Sequence, residues 1–528
     1  MEISIAGPRL VFGADYNPEQ WPESTWADDI LLMKRAHVTN VNLGIFSWGL
    51  LEVDDGVFEW GWLDRIMDAL ADADIGVNLA TPTAAPPQWL WQKHPEIGTV
   101  SDDGVRTGPG GRLGWSPSSQ VFRRYALRMV RALAERYASH SALRLWHVSN
   151  ELGNENAYCY SDETGNAWRE WLRGTYTTID RLNDAWGTAF WGHTYTSFGQ
   201  IQPPRTARTS HNPGLLLDFD RFSSDALLAH YEAERAVLRD VTPEVPVTTN
   251  FMIMSTGHLP DYAKWAGAVD FVANDHYPFG GNPDRLAELA FSASRTRGVA
   301  SGGNWLLMEH ATSAVNWQGV NHAKAPGDLA RDSLTHVAHG ADGVMFFQWR
   351  ASTAGAEQFH SAIVPHRGAD SRIFREVEEL GARLEQLAEV RGTSVEQGSI
   401  ALVLDQTAIH AIHATRGPTS GVDPYELAHR WHRHLIERGF TVDVITPHAR
   451  LDGYEAVLVP YLFLTADDLE PRLAAFARAG GHVLVSFGSG IVDETMRVRG
   501  GGYPGAFREL LGAVSDEVHP LPQRAGSS

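Results

Sequence analysis

Two glutamates stand where their chemistry would be useful. Glu151 closes the run LRLWHVSNE at 143–151, and Glu309 lies in NWLLMEH at 304–310. Each ends a short apolar run of strand length and is followed by polar, loop-like sequence. In a chain of alternating strands and helices, the C-terminal tip of a strand is where a (β/α)8 barrel carries its reactive groups. Two carboxylates across one barrel mouth suit retaining glycoside hydrolysis, in which one protonates the leaving oxygen and the other attacks the anomeric carbon, at a separation of roughly 5–5.5 Å. The acid needs a raised pKa, and an amide beside it can orient the sugar; Asn150 supplies that amide. An isolated Asn-Glu pair fits a solvated loop or helix cap equally well. What singles this pair out is that both glutamates fall at strand tips, on the fourth and seventh of eight strands.

Further groups surround the pair. Arg112, in GPGGRLGW, offers a guanidinium fork to sugar hydroxyls, or is a surface arginine in a glycine-rich loop. Tyr277, in NDHYPF, sits at a strand tip, where it either holds the attacking carboxylate ionised or packs in the rim. Trp317, in SAVNWQG, and Trp191, in a long insertion, are stacking platforms or core caps. Glu357 and His360, in AEQFHSAIVPH, share a face if that loop is helical. Hydrogen bonding to sugar suits them better than metal ligation, because no third ligand is evident.

The elements that must position these residues recur in order. Strand-like runs fall near 10–16, 38–46, 76–81, 143–149, 245–250, 271–274, 305–309 and 343–347, with helical stretches such as 118–139 and 223–239 between them. Eight strands over about 380 residues predict a (β/α)8 TIM barrel with insertions. The longest insertion follows the fourth strand and holds AWGTAFWGHTYTSF at 185–198; long βα loops usually build the site on a barrel. After about residue 392 the pattern restarts. SIALVLD, TVDVITP, YEAVLVPYL and GGHVLVSFG read as parallel strands with helices at 424–438 and 466–479 between them, a doubly wound, flavodoxin-like α/β domain. The expected division is a barrel over 1–392 and a second domain over 393–528. PLPQRAGSS adds no closing strand or helix, so that domain is expected to be incomplete, with an exposed sheet edge.

Bulk properties narrow the partners. At 528 residues the chain exceeds one ordinary core. A formal net charge of −20 argues against nucleic acid and anionic membrane surfaces. The single cysteine, Cys159, excludes an internal disulfide and any multi-cysteine metal site. No basic leader with an apolar stretch opens the chain and no apolar run approaches a membrane span, so a cytoplasmic protein is expected. Eighteen tryptophans are compatible with stacking on sugar rings but also with a core-filling role.

At these residues the chain resembles glycoside hydrolase family 42, the β-galactosidases. The resemblance runs through GADYNPEQWPE (13–23), FSWGLLEVDDGVFEWGWLD (46–64), ATPTAAPPQWL (80–90), WHVSNELG (146–153), LNDAWGTAFW (182–191), LMEHATSAVNWQ (307–318) and QWRASTAGAEQFHSAIVPH (348–366). It implies Glu151 as acid/base, Glu309 as nucleophile and net retention. It implies Arg112, Asn150, Trp191, Tyr277, Trp317, Glu357 and His360 as galactose-binding residues. It implies that the second domain is a trimerisation domain, through which a neighbouring subunit can complete the wall of the site. Three departures stand out. Some members bind a structural zinc through four cysteines, three of them after the NE motif; with Cys159 alone, no such zinc is expected here. Where some members carry an arginine and a glutamate on the second strand, this chain has Asn42 and Ile45. The family continues past the second domain into a small β domain, whereas this sequence stops at Ser528.

The expected function is a retaining exo-β-galactosidase that removes terminal β-D-galactose from lactose-like or galacto-oligosaccharides, transfers galactose to another sugar at high sugar concentration, and needs no cofactor. The expected assembly is a homotrimer. Competing readings are a retaining hydrolase of β-L-arabinopyranosides or β-D-fucosides, a sugar-binding barrel without turnover, and a metal-dependent hydrolase using His310, Glu357 and His360.

Overall fold

The computed structural model describes residues 3–253, 260–417 and 421–520. Eight parallel strands form the barrel: β1 Val11–Tyr16, β2 Asn40–Leu43, β3 Gly76–Thr81, β4 Leu143–Val148, β5 in two pieces (Val247–Thr248 and Asn250–Phe251), β6 Ala273–Asp275, β7 Trp305–Glu309 and β8 Ala341–Phe346. The order is β5-β4-β3-β2-β1-β8-β7-β6-β5: the first piece of β5 pairs with β4 and the second with β6, so the sheet closes on itself around Thr249. Thr249 does not leave its neighbours unpaired, since its Oγ1 donates to Val148 O at 2.8 Å.

These runs form strands because both faces are covered. β1, β3, β7 and β8 are buried at every position, as parallel strands wrapped by helices must be. One face meets the helices. Helix Gln120–Tyr137 shows why: Phe122, Tyr125, Ala126, Met129, Val130, Leu133, Ala134 and Tyr137 recur at helical spacing and are its buried side, and the Ser119 side chain caps it by accepting from Phe122 N at 3.3 Å. The opposite face fills the barrel with Val11, Leu145, Ala273, Leu306, Met308 and Met345, closed from below by Ile3 and Ile5. The helix expected over 223–239 begins earlier and spans Pro213–Val241.

The chain forms two compact units that are not contiguous in sequence. One comprises 1–164 and 223–396, the other 165–222 and 397–528. The second unit holds four parallel strands, β9 Ile400–Val403, β10 Val442–Ile445, β11 Ala456–Val459 and β12 His482–Val485, ordered β10-β9-β11-β12. Helices Gln406–His413, Pro424–Ile436 and Leu469–Arg478 alternate with them. β12 is an edge, with Leu484 and Phe487 exposed. Most of the insertion after β4 belongs to this unit. Leu217 joins the apolar cluster of Ala401, Val403 and Val457, and Trp168 stacks with Trp171 and Trp186 and meets Phe219 and Phe222 edge-on or tilted.

Candidate active site

Local backbone irregularities aim the two glutamates. On β7, Leu306 and Met308 face the barrel interior, so strict alternation would send Glu309 outward. A register shift against β6 between Leu307 and Glu309 interrupts the alternation, and the Glu309 carboxylate reaches groups at the mouth. After β4 the chain takes two left-handed residues, Ser149 (φ +54°) and Glu151 (φ +41°). Such conformations cost of order 1–3 kcal/mol and persist where neighbours over-determine them. Here β3 and β5 do so: Ser149 N donates to Thr81 Oγ1 at 2.7 Å, and Glu151 N donates to Asn250 Oδ1 at 2.8 Å.

The two carboxylates meet. One oxygen each from Glu151, Asp275 and Glu309 lies within 4.8 Å of the others. Both glutamates are buried, Glu151 at 6% and Glu309 at 4% exposure. Tyr277 OH donates to Glu309 Oε2 at 2.6 Å and Asn250 Nδ2 donates to Glu309 Oε1 at 3.2 Å. On the other side, Arg112 Nη2 donates to Glu151 Oε2 at 2.6 Å and Asn154 Nδ2 to the same oxygen at 3.1 Å. Arg112 Nε also donates to Glu155 Oε1 at 3.2 Å. The Asn150 amide lies between the pair. Its Oδ1 accepts from Asn250 Nδ2 at 3.0 Å, the same nitrogen that reaches Glu309 Oε1.

Burial crowds negative charge together. It raises the Glu309 carboxyl well above the ordinary range, with Asp15 and Glu151 adding repulsion and the Tyr277 hydroxyl opposing. Asp275 is raised by burial and then by Glu309 and Glu151. Asp15, on β1, is pushed up to about 8 by burial, against the bond from Asn42. Burial and then Glu309 push the Tyr277 phenol up, so it stays a donor. Glu357 is also raised by burial, with Arg112 opposing.

The anticipated residues fall out unevenly. Arg112, Asn150, Glu151, Tyr277 and Glu309 form one connected network. Trp317, 47% exposed, meets Tyr277 edge-on at 5.7 Å between ring centroids, and buried His360 does so at 5.9 Å. Glu357 and His360 are joined by a turn, with His360 N donating to Glu357 O at 2.9 Å, and the loop between them is not helical. Trp191 is 61% exposed, adopts φ +56° and belongs to the other compact unit. His310 does not join Glu357 and His360. Its Nδ1 pairs with His276 O at 3.0 Å and its Nε2 accepts from buried Lys324 at 2.8 Å, so both nitrogens are committed to the protein.

Asp15, Asn250 and Asp275 were not anticipated. Asp275 ends β6, two residues before Tyr277 in the loop that follows, and in an extended chain alternate residues share a face; that spacing was the available signal. Asp15 lies inside a quoted motif, GADYNPEQWPE. Asn42, where an arginine stands in some members, donates to Asp15 Oδ1 at 2.6 Å and accepts from Asn78 Nδ2 at 2.9 Å. The second strand thus contributes to the mouth through Asp15. Nothing in the run VTTN distinguishes Asn250.

Comparison with known proteins accords with this geometry. Residues 15–387 match a family model described as beta-galactosidase of glycoside hydrolase family 42, and residues 398–527 match one described as a beta-galactosidase trimerisation domain. A beta-galactosidase from Arthrobacter sp is 53% identical over 510 residues, covering 97% of this chain and 73% of the relative. The beta-galactosidase BbgII of Bifidobacterium bifidum is 44% identical, covering 98% and 75% respectively. The crystal structure of a beta-galactosidase from Bacillus circulans sp. alkalophilus superposes with a TM-score of 0.94 at 35% identity, over 98% of this chain and 77% of that one. On these matches, which run through barrel and second domain alike, the chain belongs to glycoside hydrolase family 42 and is a β-galactosidase.

Proposed function

We propose that the chain hydrolyses terminal β-D-galactosides by double displacement, with Glu309 as nucleophile and Glu151 as acid/base. One observation carries the reading: carboxylate oxygens of the two glutamates lie within 4.8 Å. Retaining enzymes hold their carboxyl groups about 5–5.5 Å apart and inverting ones about 6.5–9.5 Å, because inversion must fit a water between acid and base. In this reading Glu309 Oε1 or Oε2 attacks the anomeric carbon while Glu151 delivers a proton to the departing oxygen. Glu151 then takes a proton from water, which attacks the galactosyl ester and frees Glu309. Tyr277 and Asn250 donate to Glu309, which favours the ionised form that burial disfavours. Arg112, Asn150, Glu357 and His360 offer donors and acceptors to galactose hydroxyls, Trp317 offers a stacking face, and a second sugar in place of water gives transglycosylation. We place the working assembly as a homotrimer in the cytoplasm, supported by the trimerisation-domain match and the single cysteine.

Hydrolysis of p-nitrophenyl β-D-galactopyranoside tests the assignment. Glu309→Ala should fall to background. Glu151→Ala should lose about 10²–10⁴ in kcat with a natural-type leaving group, the usual worth of a general acid. A 2-deoxy-2-fluoro galactosyl donor should leave an adduct on Glu309 detectable by peptide mass, and the first product should keep the β configuration. Wild-type turnover by Glu309→Ala with no trappable adduct would end the reading. Nitrophenyl α-L-arabinopyranoside, β-L-arabinopyranoside and β-D-fucoside run alongside separate the glycones, which differ from galactose around C6 or at the anomeric centre.

A further inference from the structure

β5 supplies a side chain that touches both glutamates. Asn250 is 2% exposed and lies just past the break in β5 at Thr249. All four of its hydrogen-bonding positions are used. Oδ1 accepts from Glu151 N at 2.8 Å and pairs with His147 Nε2 at 3.0 Å. Nδ2 donates one N–H to Asp275 Oδ2 at 2.6 Å, and the other is shared between Asn150 Oδ1 at 3.0 Å and Glu309 Oε1 at 3.2 Å. The amide has one workable orientation. Reversed, it would set an N–H against the Glu151 N–H and an oxygen against two carboxyl groups. Through one rigid amide, the main chain of Glu151, held at a left-handed φ, is tied to one carboxylate oxygen of Glu309, and Asp275 anchors the arrangement from β6.

We propose that Asn250 is the positioning residue that sets the separation of Glu151 and Glu309, and that Asp275 serves as its anchor. This rests on the reading of those two glutamates as the catalytic pair. Asn250 stands between the reacting groups and their scaffold, so the proposal concerns how the carboxylates are spaced and not how galactose is recognised. The titratable groups facing it are Glu151 and His147 from β4, Asp275 from β6 and Glu309 from β7, with Asp15, Tyr277 and Arg112 beyond them.

The isosteric variant Asn250→Asp keeps the acceptor for Glu151 N but places an oxygen against Asp275 and Glu309. That oxygen can donate only when protonated. Against p-nitrophenyl β-D-galactopyranoside, kcat at pH 7 should fall about 100-fold or more with KM changed less than about threefold, and the optimum should move to acid by about one pH unit or more. Asp275→Asn keeps an acceptor for Asn250 Nδ2 and should retain kcat within about tenfold. Asp275→Ala leaves the amide unanchored and should repeat the kcat loss at near-constant KM. An Asn250→Asp profile that is lowered without moving, or Asp275→Ala and Asp275→Asn with equal kcat, overturns the proposal. If Asn250→Asp does not fold, the Asp275 pair decides alone. Glu309→Ala runs in parallel: activity surviving there defeats the catalytic reading, whereas its inactivity beside an unmoved Asn250→Asp profile defeats only this inference.

Discussion

Asp15 shows what a single buried carboxyl does to stability. Its ordinary pKa of 3.8 is raised to about 8 in the folded chain, first by burial. Between those two values the folded state holds a proton that the unfolded state releases, so this group makes stability fall as pH rises from about 4 to about 8. Below pH 4 both states hold the proton and the term vanishes; above 8 it is constant. Asp15→Asn removes the titration while keeping an oxygen for Asn42 Nδ2. The variant should match the parent near pH 4 and exceed it increasingly toward pH 8, by at most a few kcal/mol, since each pH unit across such a window is worth about 1.4 kcal/mol. Melting temperatures measured every pH unit check this, and a constant offset would refute it. Of the residues at the candidate site, Glu151, Glu309, Asn150 and Tyr277 stood out because each ends or follows an apolar run, and Arg112 because a guanidinium sits in a glycine-rich loop. Asp15, Asn250 and Asp275 were not, because a polar residue inside a strand carries no sign of which face it occupies until the barrel closes.

Barrel elements depend on close approach between strands. A Cβ placed on Gly343 of β8 would lie 2.4 Å from Val11 Cβ and 2.5 Å from Val11 O, with Leu306 Cδ1 at 2.9 Å. These are backbone and core atoms with no room to retreat, so Gly343→Ala should destabilise by about 3 kcal/mol, the upper range for overpacking. A urea titration that leaves the midpoint unchanged would contradict it. The eight strands were visible in the sequence within a few residues of their ends. Hidden were the break of β5 at Thr249 and the register shift before Glu309, because both arise from pairing with neighbouring strands and not from local propensity.

At the scale of the whole chain, the second unit draws on two distant stretches, 165–222 and 397–528. Sequence patterning led to a contiguous division near residue 392, since nothing in helices such as Ile179–Trp186 says which sheet they cover. The shared cluster around Leu217 and Val457 gives the physical reason: the apolar side of the insertion is buried with the four-stranded sheet. Leu217→Asp should therefore lower the melting temperature of the second unit, while circular dichroism and β-galactosidase turnover report on the barrel. Light scattering on the purified chain should return three times its 58.2 kDa mass if the proposed trimer forms. A monomer mass would reject that assembly, and exposed Leu484 on the β12 edge, with exposed Phe487 just after it, would then be expected to drive concentration-dependent association.

The linear order of residues determined that strands alternate with helices, that two glutamates end strands four and seven, and that tyrosine and amide partners stand beside them. Hydrophobic period and strand length are local properties, so they can be read from a string. The distance between Glu151 and Glu309, the amide that touches both, the extra buried acids that raise Glu309 and the unit to which the insertion belongs were decided only in three dimensions. Each depends on side chains far apart in sequence being brought out of water together, and burial, which sets both their contacts and their charge, exists only once the sheet has closed.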